Sequence, residues 1–166
     1  DQDSASGTEI YIDGVADNGT DSGTIGNVDS ISNTRVFAIG AESDAGNPFD
    51  GKIDEIRVHR RVLSASEIKS LYDQGVPDKL NSSVSQPQGK GRPESGIAAY
   101  FPLDENTGTA AGDTSINTNN GTLTNGPTWT TGQIGSAVDF DGTDDYVTVA
   151  DADVLDFVDS RNFALS

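Results

Sequence analysis

Phe49-Asp-Gly-Lys-Ile-Asp-Glu-Ile-Arg-Val-His59, continued by Arg60-Arg-Val-Leu-Ser64-Ala-Ser-Glu67-Ile68, joins a strand to the start of a helix. Residues 51–59 carry branched apolar side chains between charged ones, which predicts a strand. Helix chemistry follows at once. Ser64 is a good N-cap, and Glu67 three residues on completes a capping box. Leu63 and Ile68 can form a hydrophobic staple across that cap. Ile68, Leu71 and Tyr72 make one apolar stripe at helical spacing. Gly75 can end the helix and Pro77 prevents its continuation. The pattern predicts one helix over 64–74.

Upstream, Glu9-Ile-Tyr-Ile-Asp-Gly-Val15 alternates apolar and polar side chains. Ile10 and Ile12 share one face, Tyr11 lies on the polar face, and Asp13-Gly14 is a turn signal. Residues 16–34 are Asp, Asn, Gly, Ser and Thr with few apolar residues, a loop composition with room for one short strand. Residues 35–40 have a buried strand's pattern. Downstream, residues 76–96 hold Pro77, Pro87 and Pro93 among Ser, Gln, Gly and Lys, with almost nothing to bury; they are a linker. Strand patterns resume at 97–103, 121–124, 137–142 and 145–149. A last one over 162–166 is cut short. The stretch 106–121 is predicted as loop. The fold class is all-β: an antiparallel jelly-roll β-sandwich with one short helix.

The quoted run resembles the last strand and closing helix of laminin-G-like modules of the concanavalin A-like lectin/glucanase superfamily, and Glu9-Ile-Tyr-Ile-Asp-Gly-Val is similar to their preceding hairpin. Beyond the linker, Ala99-Tyr-Phe-Pro-Leu-Asp-Glu, Asn120-Gly-Thr-Leu and Gly135-Ser-Ala-Val-Asp-Phe-Asp-Gly-Thr-Asp-Asp-Tyr-Val resemble the opening of the same module. The resemblance implies an unusual order: residues 1–75 are the C-terminal part of one module, 76–96 a linker, and 97–166 the N-terminal part of the next. Its central strands, with their Trp-His-hydrophobic segment, are missing. The chain is either a window on a tandem array or a permuted module whose halves associate. Missing strands leave sheet edges to be covered, by the same chain or by a neighbour.

The formal charge is −17, with 27 acidic against 10 basic residues. Such a charge repels phosphate backbones and anionic lipid, so nucleic-acid binding is excluded. No apolar run is long enough to insert into a membrane, and no signal peptide is read at the N-terminus. Without cysteine there are no disulfides, thiol catalysis or cysteine zinc sites. With His59 as the one histidine, zinc hydrolysis and Ser-His relays have little to work with. His59 itself is expected at an exposed strand end. Glycoside hydrolysis needs two carboxylates across one cleft. Asp54 and Glu55, adjacent on a strand, point to opposite faces. Asp139 and Asp141 share a face, but Val138 and Phe140 point to the core and place them outside. No catalytic residue is assigned.

Two readings remain for the acidic loops. Clustered carboxylates and amides can hold calcium, which takes six to eight oxygens, or they can shape turns. The resemblance implies a structural calcium near the first and last strands, so Asp54, Asp104, Glu105 and Asn106 form the first candidate set, with Asn119 from the 117–121 loop adding an amide. Asp139 and Asp141 belong to a second. For a sugar, Tyr11, Trp129 and Tyr146 are the available rings; Tyr11 is expected to be the more exposed, and Trp129 to pack at the core edge. Glu55 and Arg57 are expected to form a surface ion pair on one strand face. The reading is a non-catalytic extracellular or cell-surface module for adhesion or carbohydrate recognition, within a large tandem-repeat protein. Its partners would be a glycan or a cell-surface or matrix protein, with self-association through exposed strand edges. The alternatives are a structural spacer or filament-forming repeat, and an accessory part of a secreted glycoside hydrolase.

Overall fold

Asp13-Gly14 turns the chain with both residues at left-handed φ, 54° and 72°, the geometry a two-residue hairpin requires. The computed structural model that shows this describes residues 10–17, 36–42, 45–75, 96–156 and 164–165. The turn joins β1 (Ile10–Ile12) to β2 (Val15–Asp17). The alternation is as expected, but the faces are reversed: Ile10, Ile12 and Val15 are exposed and Tyr11 is half-buried. β2 is the strand that meets the helix, and Gly14 sits against the Tyr72 ring. The Tyr11–Ala16 side is therefore the covered one.

The strand predicted over 51–59 is two strands. β3 (Phe37–Ile39) precedes β4 (Asp50–Ile53), and β5 (Ile56–His59) follows after a break at Asp54-Glu55, where Glu55 takes φ 56°. The helix α1 runs Ala65–Gly75. Its capping box is formed: the Glu67 amide donates to Ser64 Oγ (3.3 Å) and the Ser64 amide to Glu67 Oε2 (2.9 Å). Arg61 braces the same carboxylate at 2.6 Å. This pair and the cap hold the Glu67 carboxyl at a pKa of about 2. α1 meets the hairpin at β2; within its stripe Ile68 and Leu71 are half-buried and Tyr72 is 40% exposed.

After residue 95 come β6 (Ile97–Phe101), β7 (Ala110–Ala111), β8 (Gly121–Thr124), β9 (Thr128–Thr131), β10 (Ser136–Asp141), β11 (Tyr146–Val149) and β12 (Ala164–Leu165); the linker expected over 76–96 lies almost wholly outside the described residues. β7 falls in the stretch expected to be loop, and Trp129 lies in a strand. Among the described residues the sheets run β4-β10-β9, β3-β11-β8-β7 and β12-β5-β6, all antiparallel, plus the β1-β2 hairpin. They enclose one core. Ile39 and Val58 come from the part of the chain before residue 76; Phe101, Leu103, Leu123, Val138, Phe140, Val147 and Val149 come from the part after residue 95. Each such side chain contributes about 1.5–3 kcal/mol on burial. Among the described residues the fold is an antiparallel β-sandwich with a single short helix, and its two sequence halves pair with each other.

His59 departs from expectation: it is 2% exposed. β5 lies inside its sheet, with Ala164 of β12 on one side and Ile97 of β6 on the other, at the point where the β5–β6 register shifts. Burial lowers its pKa from the usual value, and the charges of Arg61 and Arg57 push the same way against Glu67.

The outer edge of β6 is covered from within. The Tyr100 amide donates to Asp113 Oδ1 (3.0 Å), and the Tyr100 carbonyl accepts from the Thr114 amide (2.9 Å). Asn117 Nδ2 donates to the Ala98 carbonyl at 2.9 Å. The 113–117 segment thus satisfies backbone groups that another strand would otherwise take.

Candidate functional site

Antiparallel pairing of Ile56 with Phe101 brings the start of β5 and the end of β6 to one end of the sandwich. Asp54 and Asp104 therefore meet there, as expected, although they lie fifty residues apart in sequence. Both bind the turn between β9 and β10. Asp54 Oδ2 accepts from the Ile134 amide (3.1 Å), and Asp104 Oδ1 from the Ser136 amide (2.7 Å). Gly132 and Gly135 permit the approach: a Cβ at Gly132 would lie 2.5 Å from Asp54 Oδ2, and one at Gly135 would overlap Asp104 Oδ1. Asp54 Oδ1 is buried without a hydrogen-bond partner. Burial raises the Asp54 pKa, and the charges of Glu55 and Asp104 add to this against the amide bonds from Ile134 and Gln133.

The other two members of this set diverge. Glu105 Oε1 accepts from the Gly112 amide at 2.7 Å, and its buried Oε2 has no hydrogen-bond partner. Asn106 is exposed, at φ 56°. Asn119 is half-buried and its amide N–H donates to Asp113 Oδ2 at 2.8 Å, so its loop is organised by Asp113. A cation at this end would be held by Asp54 and Asp104, and the unsatisfied Asp54 Oδ1 fits that role. Glu105 would have to give up its loop contact to bind through both oxygens.

The second acidic group is tighter. Among the described residues, one ligating oxygen each from Asp141, Asp144 and Asp145 lies within 4.8 Å of the others. Asp145 is 3% exposed and its Oδ2 accepts from the Asp141 amide (3.1 Å), while Asp141 Oδ1 accepts from the Thr143 amide (2.8 Å). These bonds also suffice to build a turn. Asp139 is outside the group; it lies on β10 opposite Lys52 and Thr128.

The aromatic candidates are dispersed over three sheets. Tyr11 is on β1, Trp129 on β9 and Tyr146 on β11, all half-buried. Trp129 packs against the core and donates from Nε1 to the Gly108 carbonyl at 2.8 Å. The aromatic missed in the sequence is Tyr100. Its register partner Arg57 stacks 4.3 Å from the ring centroid, and its hydroxyl donates to Glu55 Oε2 at 2.8 Å. Arg57 also binds Glu55 directly. Burial and the Glu55 contact raise the Tyr100 pKa. Asp54 and Glu55 thus serve different partners, one holding a turn and the other an Arg–Tyr pair. The cross-strand register, invisible without the fold, was the signal for Tyr100.

This is a β-sandwich whose acidic residues gather in the loops at strand ends. Residues 2–69 match the family model Laminin_G_3, described as the concanavalin A-like lectin/glucanases superfamily. That span includes the hairpin, the β4–β5 break and the first five residues of α1. No curated protein and no solved structure matches the chain. The family match supports a lectin- or adhesion-type module in general. Laminin-G-like domains are generally non-catalytic and typically extracellular. No helix among the described residues is long and apolar enough to cross a membrane.

Proposed function

We propose that the chain is a non-catalytic extracellular module for adhesion or carbohydrate recognition, braced by calcium, in a tandem-repeat surface protein. The buried, unbonded Asp54 Oδ1 beside Asp104 supports the calcium part. A cation there would bridge residues from either side of the linker. It would also offset repulsion within a chain of net charge −17. Asp54 and Asp104 supply the carboxylates; Asp141, Asp144 and Asp145 are a second place for an ion. The partner is a glycan or a cell-surface or matrix protein, with Tyr11, Trp129 and Tyr146 as the candidate ring contacts.

The test is a thermal melt in calcium and in chelator, on the parent chain, Asp54→Ala and Asp104→Ala. A ligand bound only by the folded state, at a hundredfold excess over Kd, stabilises by about 2.7 kcal/mol. For a chain of this length that raises Tm by roughly 5–10 °C. Both variants should lose the shift. Equal melting in calcium and chelator would leave these residues as turn-formers. Saturable binding on a glycan array that weakens in Tyr11→Ala supports carbohydrate recognition; an array without binding directs the search to protein partners.

A further inference from the structure

Apart from the β1–β2 hairpin, no described strand before the linker pairs with another strand before it. β3 adds to β11, β4 adds to β10, and β5 lies between β6 and β12. The segment after the linker differs: it holds its own β8–β11, β9–β10 and β7–β8 pairs. One part of the chain is therefore a set of donor strands, and the other is an acceptor with open edges. Among the described residues the donor strands bury their apolar side chains in the core they share with the acceptor. Of the thirteen buried members of the core cluster, only Ile39 and Val58 come from donor strands; the other eleven, among them Phe101, Val138, Phe140 and Val147, belong to the acceptor. The junction is intimate: a Cβ on donor Gly40 would overlap the ring of acceptor Phe140.

Donor and acceptor are separated by residues 76–95, twenty residues with three prolines. A tether of twenty residues sets an effective local concentration of donor around its own acceptor. Every donor–acceptor contact can form between two copies as well as within one, with no new interface. The choice depends on chain concentration against that local concentration.

We infer that the donor strands are exchangeable, so that β3, β4 and β5 of one copy complete the sandwich of a second copy of this chain. Recognition is by backbone hydrogen bonding to the edges of β10, β11 and β6, with Val58 and Ile39 as side-chain anchors. Reciprocal exchange closes a dimer; one-way exchange propagates head to tail, because the described strands form one donor set and one acceptor. The inference is independent of the calcium and glycan readings, and its test needs neither.

The test uses two full-length variants, Val58→Asp in the donor and Val147→Asp in the acceptor; both sites are fully buried. Alone, each should lack a cooperative unfolding transition. Refolded together from urea, the intact acceptor of the first and the intact donor of the second should build one sandwich per two chains. The mixture should regain about half of the wild-type transition amplitude, in a species of twice the chain mass by light scattering. A mixture no more structured than its components would overturn exchange. So would either variant folding alone, since the halves would then not depend on each other as argued. In a second arm, wild-type chain refolded at rising concentration should yield a growing dimer fraction. Single-chain mass at every concentration would also overturn the proposal.

Discussion

Replacing Asp113 by Ala should be among the most damaging single changes in the acceptor half. The carboxylate is 5% exposed and accepts four hydrogen bonds. Three come from backbone amides, those of Tyr100 (3.0 Å), Ser115 (2.8 Å) and Asn119 (2.8 Å). The fourth comes from the Ser115 hydroxyl at 2.9 Å. Alanine leaves three amides without acceptors, and a buried donor left unpaired costs about 1–3 kcal/mol. Water can reach the loop side, so the lower part of that range applies, and the total is about 3–4 kcal/mol. Against a typical stability of about 5–15 kcal/mol this is severe, and Tm should fall by about 10 °C. Asp113→Asn separates charge and geometry from simple presence. Its single oxygen serves the Tyr100 and Ser115 amides, its NH2 can donate to a rotated Ser115 hydroxyl, and only the Asn119 amide is orphaned. That variant should lose about 1–2 kcal/mol. Urea unfolding at constant pH, with m-values compared, gives both numbers. An Ala variant within about 1 kcal/mol of the parent, or an Asn variant as damaged as Ala, would refute the reasoning.

Buried His59 should make the chain acid-sensitive. Its folded pKa lies below the unfolded value, so its contribution is fully present above about pH 6.5 and is lost as pH falls through the folded pKa. Urea midpoints measured between pH 7.5 and about 5 should decline in the parent and flatten in His59→Gln; parallel profiles would show that His59 does not drive the decline. Gly40→Ala should cost about 3 kcal/mol, because the added Cβ meets the Phe140 ring at a backbone φ of 90°. Gly108→Ala is the control: it has φ 76° but open space around it, and should cost about 1 kcal/mol. Equal losses in the two would mean that backbone strain alone, not the close approach, constrains Gly40.

What the sequence revealed depended on how local the cause was. The start of α1 was legible because Ser64, Glu67 and the residues between them make the cap among themselves. The meeting of Asp54 with Asp104 was legible only through the family resemblance, since antiparallel β5–β6 pairing creates it. The break at Asp54-Glu55 was not legible. Ile53, Ile56 and Val58 continue an apolar pattern, and no Gly or Pro marks the place where Glu55 turns left-handed. The hairpin shows the same boundary. Alternation at Ile10–Ile12 predicted two faces, but which one is covered depends on where β2 meets α1. Asp113 was overlooked because nothing local distinguishes it from the other loop acids; its burial and its bond to Tyr100 exist only in the folded chain. His59 was misjudged for a related reason. A strand end is exposed by default, and only its neighbours β6 and β12 bury it.

The break between β4 and β5 also constrains how this chain can vary. Two residues, Asp54 and Glu55, carry it from one sheet into another, and the pleat on either side is fixed by separate partners. β4 is held by β10, and β5 by β6 and β12. A one-residue insertion or deletion here would invert β5, turning Val58 outward and Arg57 towards the core. The letters at this junction can drift, within what Asp54 and Glu55 must bind. Its length cannot, so insertions and deletions tolerated by the fold must accumulate elsewhere.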